Sequence, residues 1–241
     1  MAYEKKELLY EGKAKRIYKT NSEDYVWIEY KDSATAFNGE KKSTIDGKGV
    51  LNNKITSLLF EDLKKHNIDS HYVEQLSDRE QIVKKVTIIP IEVVVRNIAA
   101  GSLSKRLGLE EGTQLSKTII EFYYKNDDLG DPMINDDHIE MLQLAKKSQL
   151  EEIRIQALKV NDYLVELFYS MGVDVIDFKI EFGIDSEGKV LLADEISPDT
   201  CRLWDVKTKE KLDKDVFRRD IGNLTDAYSE ILKRLGGTLH V

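Results

Sequence analysis

The chain is expected to fold as an α+β protein. Short extended segments cluster in its first third, amphipathic helices follow without a regular βαβ beat, and a charged hairpin lies late in the sequence. Residues 8–10, 16–19 and 26–30, separated by Gly12 and Asn21-Ser22, predict a small antiparallel sheet. Over 52–66, Ile55, Leu58, Leu59 and Leu63 recur at helical spacing. Extended runs at 70–76 and 81–86 lead through Ile88-Ile89-Pro90 to Val93-Val94-Val95, which is apolar on both faces and reads as a buried central strand. Residues 102–109 predict a short helix ending near Gly112, and 119–124 a strand. The clearest helix covers about 149–171. Ser148 and Glu151 suit a capping box, Leu150, Ile153, Ala157, Leu164, Phe168 and Met171 form one stripe, and Gly172 stands at the C-cap. A hairpin of 175–183 and 189–196 turns at Asp185-Ser186-Glu187-Gly188, and a last helix over roughly 217–235 stops at Gly236-Gly237.

The 241 residues suffice for one large domain or two small ones, and 41% hydrophobic with 33% charged residues is an ordinary globular balance. Forty-four acidic against 36 basic residues give a net charge of −8, which argues against a general nucleic-acid binder, since that affinity comes largely from phosphate neutralisation. One cysteine, Cys201, excludes an internal disulfide and reads as a packed residue. No apolar run approaches the ~20 residues of a membrane span, and Glu4, Lys5, Lys6 and Glu7 stand where a signal peptide would be apolar, so a cytoplasmic protein without membrane contact is expected. The four histidines, His66, His71, His138 and His240, are scattered, and helix-end or surface positions are expected for each.

The chemistry concentrates in a few segments. In DFKIEFG (177–183), a strand puts Phe178, Ile180 and Phe182 on one face and Asp177, Lys179 and Glu181 on the other, and the apolar flanks suggest that even the charged face lies inside. A turn centred on Glu187-Gly188 sets Glu181 opposite Asp194, with Cβ atoms ~4.5–5.5 Å apart. Two carboxylates that close need a proton or cation between them. Oxygen ligands without His or Cys suit Mg²⁺, while a charge ladder neutralised by Lys179 is the alternative. Gly12-Lys13-Ala14-Lys15 is a tight basic turn whose backbone can approach a phosphate, or is simply solvated. Arg96 ends an apolar strand just before Ala99-Ala100-Gly101-Ser102, where a helix begins, which suits an anion site or an N-cap and salt bridge. Asp199 and Arg202 follow in the loop after Asp194.

Together the GKAK turn (12–15), IPIEVVVRNIAAGS (89–102), VIDFKIEFG (175–183), ADEISPD (193–199) and DKDVFRRD (213–220) resemble, in order and nearly end to end, the SAICAR synthetase family. The resemblance implies a two-lobed ATP-grasp or kinase-like architecture, with a small N-terminal antiparallel nucleotide-binding lobe (1–86) and a larger α+β lobe (87–241) that binds substrate and metal. It implies ATP-dependent condensation of carboxyaminoimidazole ribotide (CAIR) with L-aspartate through an acyl phosphate, with Mg²⁺. By family position, Gly12, Lys13, Ala14, Lys15 and Ile17 would hold the phosphates, and Val83, Lys84, Val86 and Ile88 would cover the adenine. Glu181 and Asp194 would hold the metal. Arg96, Ser102, Arg202 and Arg218 would bind the ribotide, with Asp177 and Lys179 near the reacting carboxylate and Asp199 and Asp215 in the wall around aspartate. Asn38 stands where some relatives carry Asp. A homodimer is expected, and the length leaves no room for the carboxylase domain fused in some relatives. A small-molecule kinase and a non-catalytic nucleotide binder are the rival readings.

Overall fold

A computed structural model describes residues 2–36 and 40–238. In chain order it contains β1 (Leu8–Glu11), β2 (Lys15–Lys19), β3 (Tyr25–Tyr30), β4 (Ser33–Ala36), β5 (Lys41–Thr44), α1 (Lys48–Lys65), β6 (Tyr72–Gln75), β7 (Glu80–Lys84), β8 (Thr87–Ile98), α2 (Gly101–Leu107) and β9 (Gln114–Tyr124). There follow β10 (Met133–Ile134), α3 (Asp136–Met141), α4 (Lys147–Ser170), β11 (Val173–Ile184), β12 (Val190–Ala193), β13 (Cys201–Asp205), α5 (Asp215–Arg218) and α6 (Leu224–Arg234). The mixed α+β expectation holds. Strands order as β1-β2-β3-β7-β6 in one sheet and β10-β9-β8-β11-β12 in the other, where β13 also pairs with β11; β4 and β5 form a separate ribbon.

Alternation in β8 and β11 builds the main core. Val93, Val95, Phe178, Ile180 and Phe182 point to one face and are buried against Leu150, Ile153, Ala157, Leu164 and Phe168 of α4. Helix α1 adds Leu51, Ile55, Leu59 and Leu63 to this core, so a helix from the first third packs with the later elements. The opposite face of β8 and β11 carries Glu92, Val94, Arg96, Asp177, Lys179 and Glu181, all lining a cavity. Val94 therefore faces that cavity and is not core, which corrects the expectation that the triple-valine run is buried on both sides. Pro90 has no N–H for the ladder, and the β8–β11 register shifts between Glu181 and Gly183, opposite its position.

Five local expectations are corrected. Arg202, expected in the loop after Asp194, lies in strand β13 and pairs with Asp177 of β11. Helix α4 begins at Lys147, and Gln149 Oε1 accepts from the Lys146 N–H at 2.8 Å; the Ser148–Glu151 capping box does not form because both residues already lie inside the helix. Ser102 is the second residue of α2 and does not cap it. The expected single last helix is two: Asp220 at φ 54° breaks it, and Asn223 restarts it by accepting from the Thr225 N–H at 2.9 Å. The Gly222-Asn223 pair carries that stop and start in the sequence. Lastly, 88–90 and 93–95 belong to one 12-residue strand.

Candidate active site

The cavity encloses about 910 Å³ and is walled by both large sheets. Among the described residues, ten lysine and arginine side chains and eight aspartate and glutamate side chains line it, a surplus of two positive charges in a chain whose net charge is −8. Positive charge is therefore concentrated here, as an anion site requires.

At one end stand Glu181 and Asp194. The hairpin pairs Glu181 with Ala193, not with Asp194, so the expected face-to-face carboxylate pair is off by one residue. Antiparallel partners share a face and a one-residue slip reverses it, so an extended Asp194 would point away. It does not, because β12 ends at Ala193 and Asp194 takes the left-handed conformation, φ 60°, which turns its carboxylate back into the cavity. Such a conformation is costly for most residues and tolerated best by Asn and Asp. Lys15 Nζ reaches Asp194 Oδ1 at 2.6 Å and Glu195 Oε1 at 3.3 Å. Glu181 Oε1 accepts from Lys125 at 2.6 Å and from Lys179 at 2.7 Å, and Lys179 also donates to Glu92 at 2.9 Å. Burial opposes ionisation of Asp194, but Lys15 and Lys179 hold its carboxyl well below the usual carboxylate range. Burial likewise opposes the charge on Lys179, and Glu181 and Asp194 overcome it, raising that ammonium's pKa.

At the other end Asp177 sits in register between Arg96 on β8 and Arg202 on β13. Arg96 Nη1 donates to Asp177 at 2.8 Å, its Nε to Glu121 at 2.7 Å, and its Nη2 to Ser102 Oγ at 3.0 Å. Arg202 donates to both Asp177 oxygens at 3.0 and 2.9 Å and through Nε to Asp215 at 3.0 Å. Arg218 donates to Asp215 at 2.6 Å. Arg202 lies across the start of α2, where a Cβ on Gly101 would come within 2.5 Å of its guanidinium, so this position excludes a side chain. Burial opposes ionisation of Asp215, yet Arg202 and Arg218 bring its pKa down to about 2.

The structure brings Gly12, Lys13, Ala14, Lys15, Ile17, Val83, Lys84, Val86, Ile88, Arg96, Asp177, Lys179, Glu181, Asp194, Asp199, Arg202 and Arg218 to this one cavity. It does not bring Ser102 or Asp215 to the wall. Ser102, exposed on α2, accepts from Arg96, and Asp215 is buried between Arg202 and Arg218. Asn38 lies outside the described residues, as does His240.

Sequence reasoning missed Lys48, His71, Lys125 and Lys214. Lys48, fully buried at the start of α1, meets Asp199 at 2.5 Å, and Tyr228 donates to the same carboxylate. Lys214 lines the cavity, and its burial lowers its pKa. Its place in the quoted DKDVFRRD segment was the one available signal. His71, expected at a surface or helix end, is buried in the cavity wall, and burial with nearby Lys15 lowers its pKa to about 4. His66 and His138 are exposed and sit at helix ends as expected. Cys201 is packed, its thiol pKa pushed up by burial.

A cleft lined by convergent lysines, arginines and carboxylates defines an enzyme that handles anionic, phosphate-bearing ligands. The SAICAR synthetase family model matches residues 8–235, and the chain belongs to this family. It is 66% identical to the phosphoribosylaminoimidazole-succinocarboxamide synthase of Bacillus cytotoxicus over 99% of this chain and 100% of that protein, and 65% identical to that of Bacillus mycoides with the same coverage. Among solved structures, the Ehrlichia chaffeensis enzyme superposes with a TM-score of 0.94 at 48% identity, covering 97% of this chain and 100% of that one. A SAICAR synthetase in complex with ADP gives 0.94 at 47%, covering 98% and 100%.

Proposed function

We propose that this cavity is the active site of the ATP-dependent ligation of CAIR with L-aspartate to SAICAR, ADP and phosphate. Family membership supplies the reaction, a step of purine biosynthesis. The observation that carries the site is that segments 12–17, 83–88, 92–96, 177–181, 194–202 and 214–218, distant in sequence, all line one cavity. Residues 1–86 act as a nucleotide-binding lobe and 87–241 as a substrate- and metal-binding lobe, in a two-lobed arrangement related to ATP-grasp and kinase-like architectures. ATP use draws support from the relative solved with ADP.

The residues fit Mg²⁺. Among the described residues no three His, Cys, Asp or Glu side chains gather into a protein-only cage, but Glu181 and Asp194 face one cavity, balanced by lysine ammonium groups. Mg²⁺ usually takes one or two carboxylates and completes its shell with water and substrate phosphates. Bound there, it neutralises charge on the transferring phosphoryl group. Lys13 and Lys15 hold phosphate oxygens from the turn, and Val83, Lys84, Val86 and Ile88 cover the adenine.

A carboxylate is a poor electrophile, and phosphoryl transfer needs positioning and charge neutralisation more than a protein nucleophile. Arg96, Arg202 and Arg218 hold the ribotide, and Lys179 orients its carboxylate, which attacks the γ-phosphorus and expels ADP. The unprotonated amine of aspartate then attacks the acyl carbon; the C–N bond forms, the bond from that carbon to the phosphoryl-bearing oxygen breaks, and phosphate leaves while the amine gives up one proton to it or to solvent. Asp199 and Lys214 wall the space beside it. The protein works as a cytoplasmic homodimer.

Incubation with CAIR, ATP and L-aspartate tests the reading. Aspartate-dependent SAICAR with stoichiometric ADP is expected; ADP release indifferent to aspartate would favour the kinase alternative.

A further inference from the structure

We propose that His71 is a positioning residue of this reaction: its ring holds Asp194 in the left-handed conformation that aims the carboxylate into the cavity. The inference rests on the assignment of Asp194 to the metal site. His71 Nε2 lies 3.2 Å from the Asp194 carbonyl oxygen. A carbonyl can only accept, so Nε2 carries the proton. That carbonyl belongs to the first residue past β12, where the strand ladder no longer supplies a partner and φ is 60°.

The histidine is itself fixed from both sheets. Its backbone N–H donates to Leu192 of β12 at 2.8 Å, and its carbonyl accepts from Lys84 of β7 at 2.6 Å. Ser70 bridges Leu192 in parallel, and the ring packs edge-on to Phe60 with centroids 5.9 Å apart. The ring is buried, so it holds one orientation. Residue 71 thus links the strand that ends at the adenine-covering segment to the peptide that sets the Asp194 carboxylate. No motif announces this, since the partners are 123 residues apart.

Calorimetric titration of ADP with and without Mg²⁺ tests the role apart from turnover. His71→Leu should lose roughly 10–100-fold of the Mg²⁺-dependent gain in ADP affinity, the usual loss when a group behind a metal ligand is removed. The gain is the ratio of ADP affinities with and without Mg²⁺ in the same variant, so any change in metal-free affinity divides out. His71→Gln, which keeps an N–H donor, should restore most of the gain. A folded His71→Leu with the full gain, or a Gln variant as impaired as Leu, overturns the proposal.

Asp194→Asn is measured in parallel. If it leaves the gain intact, the metal assignment fails, and His71 is then judged by ¹⁵N NMR of the wild-type ring. That measurement also decides the matter should His71→Leu not fold. An Nε2-protonated tautomer coupled across the hydrogen bond to the Asp194 carbonyl is expected, and an Nδ1-protonated tautomer overturns it.

Discussion

At one end of the cavity Glu181 and Asp194 are balanced by Lys15, Lys125 and Lys179; at the other, Asp177 and Asp215 are balanced by Arg96, Arg202 and Arg218. The two solutions differ in kind. A lysine ammonium is a compact charge on a flexible stem, whereas a guanidinium is a planar fork whose hydrogen bonds fix direction as well as charge. The Lys125 side chain is 42% exposed and contacts Glu181 through one oxygen, while that of Arg96 is 3% exposed and directs four of its five N–H donors at Glu121, Asp177, Ser102 and Tyr123. The arginine end is a network fixed in direction, whose guanidiniums still line the cavity. The lysine end is one whose cations can give way to another cation or turn toward phosphate.

That contrast is testable from its strongest consequence downward. Asp177→Ala should destabilise the fold by about 3–5 kcal/mol in urea unfolding, because Arg96 and Arg202 are left buried without their shared carboxylate. A loss under ~1 kcal/mol would mean that the arginine end is not preorganised. Glu181→Gln and Asp194→Asn should cost less stability than Asp177→Ala, because the lysines they leave behind are more exposed than Arg96, and should lower turnover by about 10²–10³-fold, as expected where several kcal/mol of charge neutralisation are lost in the transition state. Full turnover in both variants would remove the metal from this end.

Acid should distinguish the ends next. Asp215 has its pKa lowered to about 2 in the folded chain, against ~3.9 unfolded. Its contribution is therefore present above pH ~4 and lost as pH falls through about 2, on the order of 2 kcal/mol. Unfolding free energies measured across that window should show a loss that Asp215→Asn, already lacking the charge, does not repeat. The smallest effect is expected at the exposed lysine: Lys125→Met should shift stability by under ~1 kcal/mol in the same unfolding assay. A larger loss would make the lysine end as rigid as the arginine one.

Much of this was legible in the sequence. The alternation in DFKIEFG placed Asp177, Lys179 and Glu181 on one face, and they are there. The GKAK turn and the hinge at 83–88 line the same cavity, as does Arg96 at the end of its apolar strand. The register of the hairpin was not legible to one residue, and that residue mattered: Asp194 reaches the site through a backbone reversal and not through strand pairing. Lys48, Lys125 and His71 escaped because each acts on a carboxylate or carbonyl far along the chain, with no local pattern around it. Ser102 and Asp215 are expected at the ligand; the structure adds that each also holds an arginine, Ser102 accepting from Arg96 and Asp215 from Arg202 and Arg218, pairings that no local pattern announces.

By itself the sequence determined the α+β class, most strands of the two sheets and the polar face turned inward, but neither β10 nor β13, because alternation and helical spacing are properties of short segments and these two strands are fixed by their partners. It also determined, through its resemblance, the family. Only the tertiary structure decided which lysine meets which carboxylate, that the last helix breaks at Asp220, and that Asp194 turns back into the cavity. Those depend on hydrogen-bond register and on burial shared between distant segments, where one residue of slip or one added side chain changes which charges face each other.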